Sequence, residues 1–248
     1  MEPIQEDGAH SGRLAENFPA WEKQGQSFDK LRTNGCPGDI RKNELRTNGC
    51  PGDTGDGEFP TNGGGVQLDL IPHPSCRPRA VQSIDVFVDR SDDSIMFDFA
   101  LRGDMAGIVL GDELPQLRCD RLWETTCFEA FLRPAGSEAY FELNFAPTTQ
   151  WAVYRFDSYR VGMSAAPIKP DFGTFLLEDD GIFEAMPRFH FPDLPELGPG
   201  LQVRLGLAAV IEEVNGNKSY WALAHPEGPP DFHHDACFAA TLPAIGGP

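Results

Sequence analysis

The sequence predicts an all-β protein, a two-sheet antiparallel β-sandwich. Three observations predict it. Apolar residues recur with a period of two in many short runs, turn-forming residues close those runs, and no helix-length segment of 3.6-residue period interrupts them. Composition agrees: 248 residues include 26 Gly, 22 Pro and 18 Phe, so helix breakers are frequent and a strand-favouring aromatic is abundant.

The N-terminal segment is of another kind. Leu31-Arg32-Thr33-Asn34-Gly35-Cys36-Pro37-Gly38-Asp39 returns word for word as Leu45-Arg46-Thr47-Asn48-Gly49-Cys50-Pro51-Gly52-Asp53. A 14-residue period is too short for a solenoid unit, and two copies are fewer than such arrays need. Each copy offers one Leu beside turn-prone Asn-Gly and Pro-Gly pairs, so neither covers a core. Residues 1–65 are expected to form a disordered arm and residues 66–248 one sandwich domain.

From Val66 onward the strand runs follow one another. Leu68–Ile71 comes first. Ile84, Val86 and Val88 then share one face, with Asp85 and Phe87 on the other. Ile95, Phe97, Phe99 and Leu101 alternate with Met96, Asp98 and Ala100, and Arg90-Ser91-Asp92-Asp93 supplies the turn between these two runs. Ile108–Leu110 and Glu124–Leu132 follow. Phe141, Leu143 and Phe145 alternate with Tyr140, Glu142 and Asn144, and further runs lie at Gln150–Phe156, Thr174–Leu177 and Phe183–Met186. Leu201 to Ile211 alternates again, and Asn215-Gly216-Asn217 closes a hairpin onto the strand around Tyr220. A last run covers Cys237–Leu242.

Charge limits the function classes. Lys and Arg number 20 against 38 Asp and Glu, a formal charge of −18. The first 62 residues hold 11 acids and 7 bases, so −14 belongs to the remainder. Such a surface repels phosphate backbones and anionic lipid, which excludes non-specific binding to nucleic acid or a membrane surface. No apolar run reaches the roughly 18 residues of a spanning helix. Met1 to Gln26 has neither a basic n-region nor an apolar h-region, so a cytoplasmic location is expected. Cys76, Cys119, Cys127 and Cys237 are widely spaced, without a Cys-x-x-Cys pair, and are expected to be reduced.

Two clusters carry possible chemistry. Alternation sets Glu129 beside Cys127 and Phe131, and gathers Tyr140, Glu142 and Asn144 on one sheet face. Carboxylates and an amide exchange hydrogen bonds with hydroxyl pairs, while Trp and Tyr rings cover the C–H faces of pyranoses. The same residues would equally make the solvated side of an antiparallel sheet. Glu129 and Glu142 could act as acid and base of a glycosidase only at about 5–10 Å across a cleft. The second cluster runs from Ser219-Tyr220-Trp221 through His225-Pro226 to Asp231-Phe232-His233-His234-Asp235. His233 and His234 are adjacent, so in a strand only one serves a given site. A turn held by Asp231 accounts for the cluster as well as a ligand does.

The run Trp123-Glu124-x-x-Cys127-Phe128-Glu129-x-Phe131, the run Tyr140-x-Glu142-x-Asn144-Phe145-x-Pro147, and the run Trp151-Ala152-x-Tyr154-x-Phe156-x-x-Tyr159-Arg160-x-Gly162-Met163 resemble bacterial DOMON-like proteins. So does Tyr220-Trp221-Ala222-Leu223-Ala224-His225-Pro226 with the following Pro230-Asp231-Phe232-His233-His234. These proteins are related to family 9 carbohydrate-binding modules, and a similar domain stands beside some UDP-N-acetylenolpyruvoylglucosamine reductases. The resemblance covers about residues 66–243. It implies an immunoglobulin-like or jelly-roll sandwich with a ligand-binding role, sugars or haem being the usual ligands. Family 9 modules clamp a sugar between two tryptophans, for which Trp123, Trp151 and Trp221 are candidates. Haem-binding members use axial Met and His, to which Met163 and His225 could be assigned.

Together these readings predict a non-catalytic module for a small polar ligand, most simply a carbohydrate or sugar derivative, without an obligatory cofactor. The expected face comprises Trp123, Glu129, Glu142, Asn144, Trp151, Tyr154, Arg155, Trp221, His225 and His233. Aromatic rings would stack on the ligand, Glu and Asn would bond hydroxyls, and Arg155 would pair with an anionic substituent. The rivals are a haem protein, a glycoside-processing enzyme and a protein-interaction domain.

Overall fold

The period-two runs become strands. In a computed structural model of the chain, which describes residues 65–178 and 181–245, there are twelve. They are β1 (Val66–Pro72), β2 (Val81–Arg90), β3 (Ser94–Gly103), β4 (Cys127–Pro134), β5 (Tyr140–Phe145), β6 (Trp151–Phe156), β7 (Ser164–Ala165), β8 (Asp171–Glu178), β9 (Ile182–His190), β10 (Val203–Glu212), β11 (Lys218–Ala222) and β12 (Ala240–Leu242). Among the described residues the only helical pieces are three-residue 3-10 turns. The expected arm over residues 1–65, with its repeat, lies outside the described residues except for Gly65.

All strand pairings are antiparallel, and they form two layers. One has the order β8-β9-β3-β2-β1, the other β7-β6-β5-β4-β10-β11-β1, with β12 also beside β10. Strand β1 belongs to both. Its residues Val66 to Leu70 pair with β2, whereas Ile71 and Pro72 pair with Ala222 and Trp221 of β11. The sandwich expected from the alternation is thus present, its two sheets joined through one strand.

Between the layers the alternating positions interdigitate. Ile84, Val86 and Val88 from β2 and Phe97, Phe99 and Leu101 from β3 meet Phe128, Leu132, Leu143, Phe145, Leu205, Leu207 and Ile211 from the other layer. Ring pairs tie the layers together: Phe99 and Phe128 have centroids 5.2 Å apart, and Phe97 and Phe145 6.4 Å. Asn215-Gly216-Asn217 closes the β10–β11 hairpin with Gly216 at φ +84°, a left-handed conformation that glycine adopts without a Cβ penalty.

Several boundaries differ from the sequence reading. Strand β4 begins at Cys127, because Leu122–Glu124 make a 3-10 turn entered through Arg121 at φ +65°. Strand β12 begins at Ala240, because Asp235–Cys237 make another, capped by the His234 side chain accepting from the Ala236 amide. Ile108–Leu110 contributes only one bridge, from Ile108 to Glu213. Cys76, Cys127 and Cys237 are free thiols, but Cys119, expected to be reduced, is disulfide-bonded.

The largest departure concerns the second layer's outer face. A half-solvated sheet would alternate in burial, yet every residue of β5 is buried. Three connections fold over this face and enclose a second apolar cluster, which includes Leu122, Phe131, Tyr140, Tyr154, Phe156 and Phe238. They are residues 118–124, residues 157–163 and a strap over 230–238.

Candidate functional site

Register places the polar residues under this cover. Glu129 on β4 stands opposite Asn144 on β5 and Ala208 on β10. Glu142 stands opposite Phe131 on β4 and Tyr154 on β6. The two glutamates are therefore diagonal neighbours on adjacent strands, with Cβ atoms roughly 7 Å apart in such an arrangement. They are 3% and 5% exposed, and Asn144 is fully buried.

Glu142 is well supplied with partners. Its Oε1 accepts from the Asn144 amide at 2.9 Å, and its Oε2 lies 3.6 Å from His233 Nε2. Tyr140 Oη accepts the Arg160 backbone N–H at 3.2 Å and lies 2.8 Å from His233 Nδ1. The imidazole thus bridges the Tyr140 hydroxyl and the Glu142 carboxyl group. The imidazole stands edge-on to Phe131, Tyr140 and Phe156, at centroid distances of 5.2, 5.9 and 5.2 Å.

The strap is held by a latch. Asp231 accepts from Tyr159 Oη at 2.5 Å, from Arg160 Nη2 at 2.7 Å and from the His233 amide at 3.2 Å. At the opposite margin, Tyr154 Oη donates to Asp120 at 2.6 Å, and Arg118 pairs with the same carboxylate at 2.7 Å. Trp123 is half-buried beside this margin, 6.0 Å from the Tyr154 ring.

Burial dominates the electrostatics. It pushes Glu142 up to about 7, against the opposing influence of the Asn144 amide and the Arg160 charge. It raises Glu129 well above the usual carboxylate range, and repulsion from Glu142 adds to the effect. Burial, reinforced by Arg160, lowers His233 to about 3, so the imidazole is neutral at neutral pH. For Asp231 burial acts upward, but the bonds from Tyr159 and Arg160 outweigh it and keep the group low. The site is an acidic pair, a neutral histidine and a paired Asp–Arg, surrounded by aromatic rings.

Six of the ten residues expected to share a face lie together here: Trp123, Glu129, Glu142, Asn144, Tyr154 and His233. The other four lie elsewhere. Trp151 and Trp221 point into the inter-sheet core at 8% and 3% exposure. Arg155 pairs with Asp157 and Glu196. His225 donates from Nε2 to the Ile71 carbonyl at 2.9 Å and stacks edge-on with His73 at 4.9 Å. A tryptophan clamp built from Trp151 and Trp221 is therefore not available on this face.

The residues present do not fit a haem. The His225 nitrogen that iron would take is engaged by Ile71, while Met163 packs instead against the outer-face cluster. Among the described residues, no three His, Cys, Asp or Glu side chains converge as metal ligands.

No protein-family model matches the chain, and no curated protein does either. Solved structures do. A protein of Bacteroides uniformis provisionally described as carbohydrate-binding aligns over 72% of this chain and 85% of its own, with 15% identity and a TM-score of 0.48. A family 9 carbohydrate-binding module from Caldicellulosiruptor kristjanssonii, solved with cellotriose, aligns over 64% and 74%, with 12% identity and a TM-score of 0.40.

Alternation missed Arg160, Tyr159 and Asp231 as a latch, and Arg118 and Asp120 as the opposite margin. Arg160 adopts φ +55° in a loop, and its partner lies 71 residues onward. No local pattern encodes that pairing. The one usable signal was the concentration of charge in the two loops, Asp157 to Arg160 and Asp231 to Asp235.

Proposed function

We propose that the protein is a non-catalytic module that binds a carbohydrate or sugar derivative at the covered face of β4, β5 and β6, and that its affinities lie with DOMON-like proteins. One observation carries the reading: Glu129, Glu142 and Asn144 are buried together on a face walled by aromatic rings. Burying carboxyl groups is costly where apolar side chains would pack well. Hydroxyl-bearing ligands offer donors and acceptors that repay such an arrangement, and rings provide faces for sugar C–H groups. Binding is favoured over glycoside cleavage because the carboxyl groups sit side by side on one sheet, whereas cleavage needs them on opposite sides of a bond.

A thermal-shift screen with neutral sugars, amino sugars and nucleotide sugars tests the reading. A ligand at 100 times its dissociation constant adds about 2.7 kcal/mol to folding stability, an easily measured rise in melting temperature. Trp123→Ala and Glu142→Gln are expected to weaken binding about tenfold or more while the protein still melts cooperatively. Absence of a shift with every sugar, or retained affinity in both variants, would refute the reading.

A further inference from the structure

Glu129 differs from every other charged group on this face. Glu142 has Asn144 and His233, Asp231 has Tyr159 and Arg160, and Asp120 has Arg118 and Tyr154. Glu129 is 3% exposed and makes no hydrogen bond among the described residues. Its row neighbours across the sheet are the Asn144 amide, already turned to Glu142, and the methyl group of Ala208. Buried carboxylates are ordinarily paired with a cation or with several donors. Here the nearby guanidinium of Arg160 is committed to Asp231. Nor are the Glu129 oxygens among the buried polar atoms shut off without a partner, as Asp98 Oδ1 and Trp151 Nε1 are. Among the described residues the carboxyl group thus has no hydrogen-bond partner, although it is almost wholly buried.

From this we infer that the ligand carries a primary ammonium group that pairs with Glu129, so that the preferred sugar is an amino sugar. The inference rests on the carbohydrate reading of this face and specifies the substituent. An ammonium brings the missing positive charge together with three N–H donors, more than one carboxylate needs. Phe131, Tyr140 and Tyr154 belong to the buried cluster on this same face, and aromatic rings attract a cation and limit competing water. In the empty protein, burial favours the protonated form of Glu129, and an arriving ammonium would favour the carboxylate instead, any proton it displaces passing to solvent. The bound state is then an ion pair between the ammonium and the Glu129 carboxylate.

The test compares three sugars of one ring shape on the full chain by titration calorimetry at neutral pH: glucosamine, N-acetylglucosamine and glucose. Glucosamine is expected to bind at least tenfold more tightly than the other two. Glu129→Gln, nearly identical in shape, is expected to abolish that preference, so that glucosamine binds no more tightly than glucose to the variant. Equal affinity for all three, or tighter binding of a neutral sugar, overturns the inference and leaves the carbohydrate reading standing. If none of the three binds saturably, the inference falls, and the wider thermal-shift screen decides the carbohydrate reading. The wild-type comparison decides the matter even if the variant fails to fold.

Discussion

Arg90, 7% exposed at the end of β2, donates to the carbonyl oxygens of Leu197, Gly198, Leu201 and Pro243 at 2.5–3.1 Å. A single guanidinium thereby fixes the segment leading into β10 and the chain beyond β12. Arg90→Met keeps the stem but leaves four carbonyls without this donor. The expected loss is about 3 kcal/mol or more, since hydrogen bonds to charged groups contribute roughly 1.5–3 kcal/mol each. Arg90→Lys should recover only part, because an ammonium cannot spread its donors as a planar fork does. Urea unfolding measures both, and a loss below about 1 kcal/mol would show that water replaces the guanidinium. In the sequence Arg90 reads as the first residue of a turn, and nothing local shows partners more than a hundred residues away. Glu129, Glu142 and Asn144 were legible because period two alone assigns their face. The same rule separates Trp151 and Arg155 from Tyr154, since odd and even positions of β6 point oppositely. Grouping them by side-chain type overrode that parity, and the structure follows the parity.

At the scale of elements, the strap over 230–238 has no strand pairing and depends on side chains. Cys237 Sγ donates to the Ala224 and Asp231 carbonyls at 3.1 and 3.2 Å, Arg133 lies 4.1 Å from the Phe238 ring centroid, and the Asp231 latch holds the leading end. Such a segment opens more easily than the strands beneath it. Asp231→Asn removes the charge that binds Arg160 and Tyr159 while keeping the size. Amide exchange across residues 231–235 is expected to accelerate about tenfold, with protection of β10 unchanged. Equal acceleration in β10 would mean that strap and sheet open as one unit. Strand existence was readable from alternation, whereas the strap was not. Its apolar members Phe232 and Phe238 are spaced without a period, and only the sheet beneath gives them a common side.

Considered as a whole, the molecule carries −18 formal charges and buries two of its acids on one face. The sandwich was legible because its inner face follows a simple rule. The covered outer face was not, since covering it depends on three loops meeting in space. Both features bear on pH. Glu142 is raised to about 7 in the folded state, and Glu129 is raised as well, whereas an unfolded glutamate titrates near 4.3. A raised acid contributes stability that is fully present below the unfolded value and is lost as pH climbs through the folded one. For Glu142 alone that loss is on the order of 3 kcal/mol between about pH 4.5 and 7. The low-lying Asp231 and Asp120 act in the opposite sense below about pH 4, and the lowered His233 does so already below about pH 6.5, where their unfolded counterparts take up protons. Self-repulsion among the excess acids also eases as pH falls. Stability is therefore expected to rise from pH 8 to pH 6.5, above the range in which His233 opposes the two glutamates. Glu142→Gln should flatten the profile and raise the urea midpoint chiefly at the alkaline end, where the wild type bears the uncompensated charge. A wild-type midpoint that holds level or climbs between pH 6.5 and 8 would mean that the two carboxyl groups are solvated as ordinary surface acids, and the buried-pair picture of this face would have to be given up.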